Sequence, residues 1–258
     1  MQYPLAVVVG PTGIVFVADR NLPGIWKIEN GTPTIFFQGS KKFRTPLNAV
    51  RCLAMDNQGT LYAGDSATRE IYRFDEKGNP HPLTQGAIGI PMSIAIDRQG
   101  NLLVADLERH CIFQVPGNGG AVTEFVKTPA PRGIAVDSQD RVWVLSNSKH
   151  PLLRFGEKRT SEVIVGEPLF EFAHQIVLDP QGNAYLCDGY AKSVWKIPLE
   201  GKPIKIWSGE PLKNPVGLAI DRDRLLIADP HQKMIYAWAM GSPVSADLPR
   251  SLEAIVKQ

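Results

Sequence analysis

Pairs of short apolar runs, each ending in a polar residue, recur about every forty residues along the chain. One copy reads Ile94-Ala95-Ile96-Asp97, continues through a turn that contains Gly100, and resumes as Leu102-Leu103-Val104-Ala105-Asp106. Apolar runs of this length, bounded by turn residues, are typical of strands covered on both faces. We call the residue that ends each second run the marker residue; the six are Asp19, Asp65, Asp106, Ser146, Asp188 and Asp229.

Two further runs follow in each copy, which predicts four strands per unit, named a to d in chain order. Strand c often carries a basic residue in its middle, as in Val194-Trp195-Lys196-Ile197, so one of its faces meets solvent. Strand d is more polar in places, as at His81-Pro82-Leu83-Thr84, which suits an outer edge. Units of about 40 residues with four strands are typical of propellers. We therefore predict an all-β, six-bladed β-propeller with four antiparallel strands per blade.

The six units fill the chain and predict a single domain over residues 1–258. The first blade begins with its own strand a, so we expect the ring to close without a strand shared between the first and last blades. The outer edge of the last blade has two candidates, Val244 to Leu248 and the tail Ala254 to Val256, and the apolar pattern favours the tail. The approximate blade bounds are 4–48, 49–90, 91–130, 131–172, 173–214 and 215–258.

Three phrases in these units resemble the repeats of NHL-type propellers: Pro131 to Asp137, Gly100 to Asp106, and Ile71 to Asp75. The resemblance extends over nearly the whole chain and implies the fold. Related six-bladed proteins include calcium-dependent lactonases of the gluconolactonase (SMP-30) type, zinc-dependent peptidylglycine amidating lyases, RNA-binding NHL domains and extracellular sensor domains. Because such different functions share one fold, the resemblance leaves the function open.

Composition excludes several classes of protein. The net charge is +2, so bulk charge does not predict nucleic-acid or membrane binding. No apolar stretch approaches the roughly 20 residues of a membrane helix, and no signal peptide is visible. We expect a monomer that does not bind membranes, in the cytoplasm, or secreted or periplasmic if a leader has been removed. Cys52, Cys111 and Cys187 form no C-x-x-C pair and are expected to be buried and reduced.

The residue just before each strand a is expected to line the axial mouth of the ring, on the face that carries the d–a and b–c loops. We call these six residues the mouth positions; they are Leu5, Arg51, Met92, Arg132, His174 and Val216. A calcium ion needs several carboxylate or carbonyl oxygens at one point. Since the mouth positions include no Asp, Glu or Asn, they disfavour a calcium lactonase.

A zinc lyase is a closer match, but its set of ligands is incomplete. The segment Ala173 to Leu178 resembles the part of the amidating lyase that carries a histidine ahead of strand a. Asp106 to His110 resembles its other His-bearing loop, and Asp188-Gly189-Tyr190 resembles its tyrosine-bearing loop. A catalytic zinc usually has three protein ligands, and a third histidine is missing from the mouth positions. We therefore expect no cofactor, and keep zinc or calcium for the enzymatic alternative.

Basic residues occur in every b–c loop, whereas acidic residues concentrate in the a–b and c–d turns of the other face. This polarity favours a non-enzymatic protein whose mouth face binds an anionic small molecule or an acidic protein partner. RNA is a weaker candidate because few aromatic residues are placed to stack on bases. The alternative is a metal-dependent hydrolase, lactonase or lyase with its site at the same mouth. The candidate ligand-binding residues are Arg51, Met92, Arg132, His174, Tyr190, His110 and Arg109; no catalytic or metal-binding residue is assigned.

The marker aspartates have a structural explanation. A residue repeated in five of six units serves each unit, and Asp readily accepts backbone N–H bonds in a turn. We expect each one to bind the b–c turn that follows it, and Ser146 to do the same more weakly.

Overall fold

The inner part of each sheet is built from the apolar runs, and the polar runs lie outside. A computed structural model describes residues 1–40, 42, 45–241 and 253–255. These residues form six four-stranded antiparallel sheets, so the predicted fold class is confirmed. The first three sheets comprise β1 (Pro4–Val9), β2 (Val15–Asp19), β3 (Gly24–Glu29) and β4 (Thr32–Gln38); β5 (Val50–Met55), β6 (Leu61–Asp65), β7 (Glu70–Phe74) and β8 (Pro80–Pro82); and β9 (Pro91–Ile96), β10 (Asn101–Asp106), β11 (Cys111–Pro116) and β12 (Thr123–Lys127).

The remaining three sheets repeat this order. They comprise β13 (Pro131–Val136), β14 (Val142–Ser146), β15 (Leu152–Phe155) and β16 (Ser161–Val165); β17 (Ala173–Leu178), β18 (Ala184–Asp188), β19 (Ser193–Ile197) and β20 (Ile204–Ser208); and β21 (Gly217–Asp221), β22 (Arg224–Asp229), β23 (Met234–Ala239) and β24 (Glu253–Ala254). Within the described residues, no helix has the length and apolar character needed to cross a membrane.

The ring closes by packing between its first and last inner strands. Each inner strand contacts that of the next blade, and β21 contacts β1. Each sheet contains four consecutive strands, so no strand is shared between blades, as predicted. The tail supplies the outer edge of the last blade, since Glu253 and Ala254 pair with β23. The other candidate edge, Val244 to Leu248, lies outside the described residues.

The hydrophobic core is divided among the interfaces between blades. In one cluster, Ile176 of the fifth blade packs with Trp143 and Leu145 of the fourth. Each of these side chains is at least nine-tenths buried, and burying a side chain of this size stabilises the fold by about 1.5–3 kcal/mol. The three cysteines are buried and unpaired, as expected. Burial raises the pKa of the Cys52 thiol to about 12.

The marker aspartates clamp the loops of the mouth face. Asp106 is fully buried, and its carboxylate accepts the backbone N–H groups of Gly89 and Ile90, from the loop before strand a. It also accepts those of Glu108 and Arg109, from the b–c loop. One carboxylate therefore ties two loops together. The same arrangement is found at Asp19, Asp65, Asp188 and Asp229.

Ser146 behaves differently from the expectation. Its hydroxyl donates a hydrogen bond to the carbonyl oxygen of Pro129, so it does not accept from the turn that follows. A hydroxyl carries a proton and has only one oxygen, so it cannot collect several N–H donors as a carboxylate does. The fourth blade consequently lacks the carboxylate clamp.

Candidate functional site

All six mouth positions line one cavity of about 200 Å³ at the axis of the ring. Five of them are the extra residue where the register between strands a and b shifts, and the sixth, Val216, directly precedes β21. A bulge of this kind redirects a side chain, which explains how these residues reach the cavity. Among the residues that the structure describes, no Asp or Glu lines it. The remaining lining residues are Tyr3, Ala6, Arg20, Cys52, Gln175, Asn214 and Gly217.

Arg51 is half-buried at the wall of this cavity. Its Nε donates to Ser66 Oγ at 2.9 Å. Burial lowers the pKa of the guanidinium, and the neighbouring charge of Arg20 lowers it further. Neither Arg20 nor Arg51 forms an ion pair with any residue that the structure describes.

Arg132 has even fewer polar contacts. Its guanidinium carbon lies 4.2 Å from the centre of the Phe172 ring, in a cation–π contact. Its Nε is buried and has no hydrogen-bond partner in the described part of the chain. Burial lowers the pKa of Arg132, and the charge of Arg51 lowers it further. Two half-buried cations therefore repel each other across a cavity that provides no counter-ion.

An aromatic stack continues from Arg132 to the protein surface. The rings of Phe172 and Tyr190 stack with their centroids 4.7 Å apart and an interplanar angle of 16°. Tyr190 is 67% exposed, which places it at the rim rather than in the cavity. Backbone N–H groups of Glu171 and Phe172 donate to the marker residue Asp188, so the loop that carries the stack is clamped.

His174 presents an unpartnered nitrogen in this region. Its Nε2 is buried and makes no hydrogen bond with any described residue. Burial, followed by the charge of Arg132, lowers the pKa of the imidazole to about 4, although Asp188 acts in the opposite direction. His174 is therefore neutral at pH 7. A Cβ atom at Gly189 would lie 2.9 Å from Nε2, so any larger residue there would displace neighbouring side chains, including the His174 ring.

Two of the predicted site residues lie away from the cavity. Arg109 and His110 are exposed in a b–c loop, and neither lines the cavity. His110 Nδ1 accepts the backbone N–H of Ala130 at 3.2 Å, which gives the ring a loop-stabilising contact. Across the described part of the chain, no three His, Cys, Asp or Glu side chains are grouped so that they could hold a metal ion.

Sequence reasoning missed Gln175, which lies one layer below the mouth. This layer contains one strand a residue from each blade. In each blade it is the residue that pairs with the strand b residue just before the marker residue, and five of the six are small. The layer comprises Ala6, Cys52, Ser93, Gly133, Gln175 and Gly217. Aligning the units at the strand a bulge would have revealed one large polar residue in a ring of small ones.

A second cavity, of about 620 Å³, opens at the other end of the axis. Its walls include small apolar residues such as Ala54, Ala95 and Ala135, and its rim includes Asp56 and Asp97. These two carboxylates accept backbone N–H groups within their own turns, so they serve the turns. Gln175 lines both cavities and lies at their junction.

Comparison with known proteins agrees with this architecture. No family model matches the chain. A 77-residue segment is 32% identical to the human E3 ubiquitin-protein ligase TRIM32 and 31% identical to the mouse protein. The match covers 30% of this chain and 11% of the ligase, so the chain spans a small part of the curated relatives that it matches.

Solved structures match over most of the chain at low sequence identity. A gluconolactonase from Xanthomonas campestris gives a TM-score of 0.77 at 14% identity, covering 92% of this chain and 85% of its own. The nidogen/laminin complex gives 0.73 at 16%, covering 85% and 87%. The chain has the fold of a six-bladed β-propeller. The virginiamycin B lyase of Staphylococcus aureus gives 0.69 at 16%, covering 100% and 85%. The neighbours of this propeller thus include enzymes and a binding protein, and at these identities they establish the fold alone.

Proposed function

We propose that the mouth cavity binds the carboxylate or phosphate group of a small organic anion. The observation that carries this proposal is the presence of Arg20, Arg51 and Arg132 around one cavity without a lining carboxylate. Arg51 and Arg132 are half-buried and have no counter-ion among the described residues, which is costly, and a bound anion offsets that cost. A guanidinium also donates two parallel hydrogen bonds to a carboxylate or phosphate.

The shape of the cavity narrows the ligand class. Arg51, Arg132 and His174 lie on one side of the ring, whereas Leu5 and Val216 provide an apolar side. The volume of about 200 Å³ is below the roughly 300–1,000 Å³ of sites for drug-sized ligands. A small acid with a short apolar part suits these dimensions. An acidic protein partner would have to insert a single carboxylate side chain, so the small anion is the better candidate.

A lyase or hydrolase is the second candidate, and His174 is the observation in its favour. A neutral imidazole with an unpartnered Nε2 has the protonation state of a general base. Metal analysis of the purified protein distinguishes this candidate. A stoichiometric zinc or calcium ion that is lost in His174→Ala would replace the binding proposal with a metal enzyme.

The direct test measures the binding of small anions to the wild type and to a variant with Arg51→Met and Arg132→Met. Acetate, propionate and inorganic phosphate serve as probes in calorimetry and thermal unfolding. We expect the wild type to bind at least one of them, and the double variant to bind it at least tenfold more weakly, because both charge-assisted contacts are lost.

The matched control carries Arg98→Met and Arg222→Met, two exposed arginines in a–b turns on the opposite face. We expect this control to bind like the wild type. Equal weakening in both double variants would indicate a general effect of net charge, and no binding to the wild type would refute the proposal.

A further inference from the structure

Gln175 reaches across the ring of blades. Its Oε1 accepts a hydrogen bond from Ser93 Oγ at 2.9 Å, although Gln175 belongs to the fifth blade and Ser93 to the third. The fourth blade lies between them and has Gly133 in the same layer. Because Gly133 has no side chain, the glutamine can pass over it. Among the described residues, no other side-chain hydrogen bond joins two blades that are not neighbours.

The orientation of the glutamine amide is fixed by Ser93. The Ser93 hydroxyl is fully buried and accepts the backbone N–H of Ile134 at 3.3 Å. Its own proton is therefore available to donate to the carbonyl oxygen of the amide. This leaves Gln175 Nε2, with two N–H donors, without a partner among the described residues. Gln175 lines the mouth cavity, where no anionic side chain accepts from it.

We propose that Gln175 is the floor of the mouth cavity and determines its specificity, by donating an amide N–H to the bound anion. This inference rests on the proposed anion-binding function. Arg51 and Arg132 supply charge from the walls, and the amide supplies a neutral donor from below. The ligand class is then an anion with at least three acceptor positions, such as a carboxylate with a neighbouring hydroxyl or carbonyl group, or a phosphate.

The test compares Gln175→Leu and Gln175→Glu with the wild type, using acetate, lactate and inorganic phosphate as probes in calorimetry. Leucine keeps the bulk of the floor but removes the donor. We expect it to weaken lactate or phosphate by about tenfold, the order of a hydrogen bond to a charged group, and acetate by less. Glutamate places a carboxylate beside the arginines, so we expect it to abolish anion binding.

Ser93→Ala tests whether the serine positions the amide. We expect a severalfold loss of lactate or phosphate affinity, with a smaller loss for acetate, because the amide can then rotate. Gln139→Leu, in an exposed a–b turn of the fourth blade, is the control and should bind all probes like the wild type.

The outcomes separate this inference from the proposed function. If the wild type binds an anion and the arginine double variant does not, but Gln175→Leu binds all three probes normally, then the role of Gln175 is refuted and the anion site stands. A uniform weakening of all probes in Gln175→Leu also overturns the role in specificity. If the wild type binds none of the probes, the anion site itself falls, and the role of Gln175 falls with it.

Discussion

The mouth face contains two sets of charged side chains in opposite situations. Each marker aspartate is almost fully buried and accepts three or more hydrogen bonds, as Asp106 does from two loops. Arg132 is half-buried, stacks on Phe172 and donates no hydrogen bond within the part of the chain that the structure describes. A buried charge that is satisfied internally stabilises a fold, whereas one without a partner stays available for an external ligand.

The largest expected effect is on stability, from removal of a marker carboxylate. Asp106→Ala leaves four backbone N–H groups without their acceptor, and each such loss costs about 1–3 kcal/mol before the loops relax. We expect the free energy of unfolding to fall by at least about 3 kcal/mol in urea denaturation. Ser146→Ala is the matched control in the blade without a clamp, and it should cost no more than about 1 kcal/mol. Equal losses would contradict the clamp as a source of stability.

The next effect is a pH dependence that originates at His174. Its pKa is about 4 in the folded protein and 6.5 when unperturbed, so protons bind more tightly to the unfolded chain. The stabilisation is fully present above pH 6.5 and is lost as the pH falls towards 4, by up to about 3 kcal/mol. Urea unfolding of the wild type and of His174→Gln across this range measures the difference. If the two proteins have the same pH slope, His174 is not the cause.

The smallest expected change in the free energy of unfolding comes from replacing the mouth arginines. Its sign distinguishes these arginines from the marker aspartates, which stabilise the fold. Replacing unpaired, half-buried cations with apolar side chains of similar length is often neutral or stabilising. We expect the variant with Arg51→Met and Arg132→Met to unfold with an unchanged free energy, or one raised by up to about 1 kcal/mol, in urea without added anions. A loss of more than about 1 kcal/mol would mean that the arginines support the fold.

The sequence repeat predicts the blades and the mouth positions, which recur in every unit. It predicts much less about side-chain contacts that occur in only one blade. The mouth positions could be located because each precedes the apolar run of its blade. In the structure five of them lie within strand a, as its second residue, where the bulge directs the side chain to the axis. His110 also lies in a mouth-face loop, but its ring turns to the backbone of Ala130, and sequence position does not encode that contact. The reversed role of Ser146 depends on which carbonyl lies nearby, and therefore on tertiary structure.

Gln175 could have been singled out only by aligning the units at the right register. In five blades the bulge shifts strand a by one residue relative to strand b, so the axial layer begins one position later than simple alternation of side chains suggests. Its contact with Ser93 joins residues 82 positions apart, and no local pattern predicts such a pairing.

The layer of small residues around the axis also determines how this scaffold can diversify. A Cβ atom at Gly133 or Gly217 would lie 3.1 Å or less from neighbouring backbone atoms, so these two sites resist any side chain. Ala6 and Cys52 already carry one and line the mouth cavity. A larger side chain at either site would make the pocket shallower, while the marker aspartates that hold the loops stay unchanged. Proteins with this fold could therefore change their ligand by substitution at the axis while the six blades and their loops stay the same.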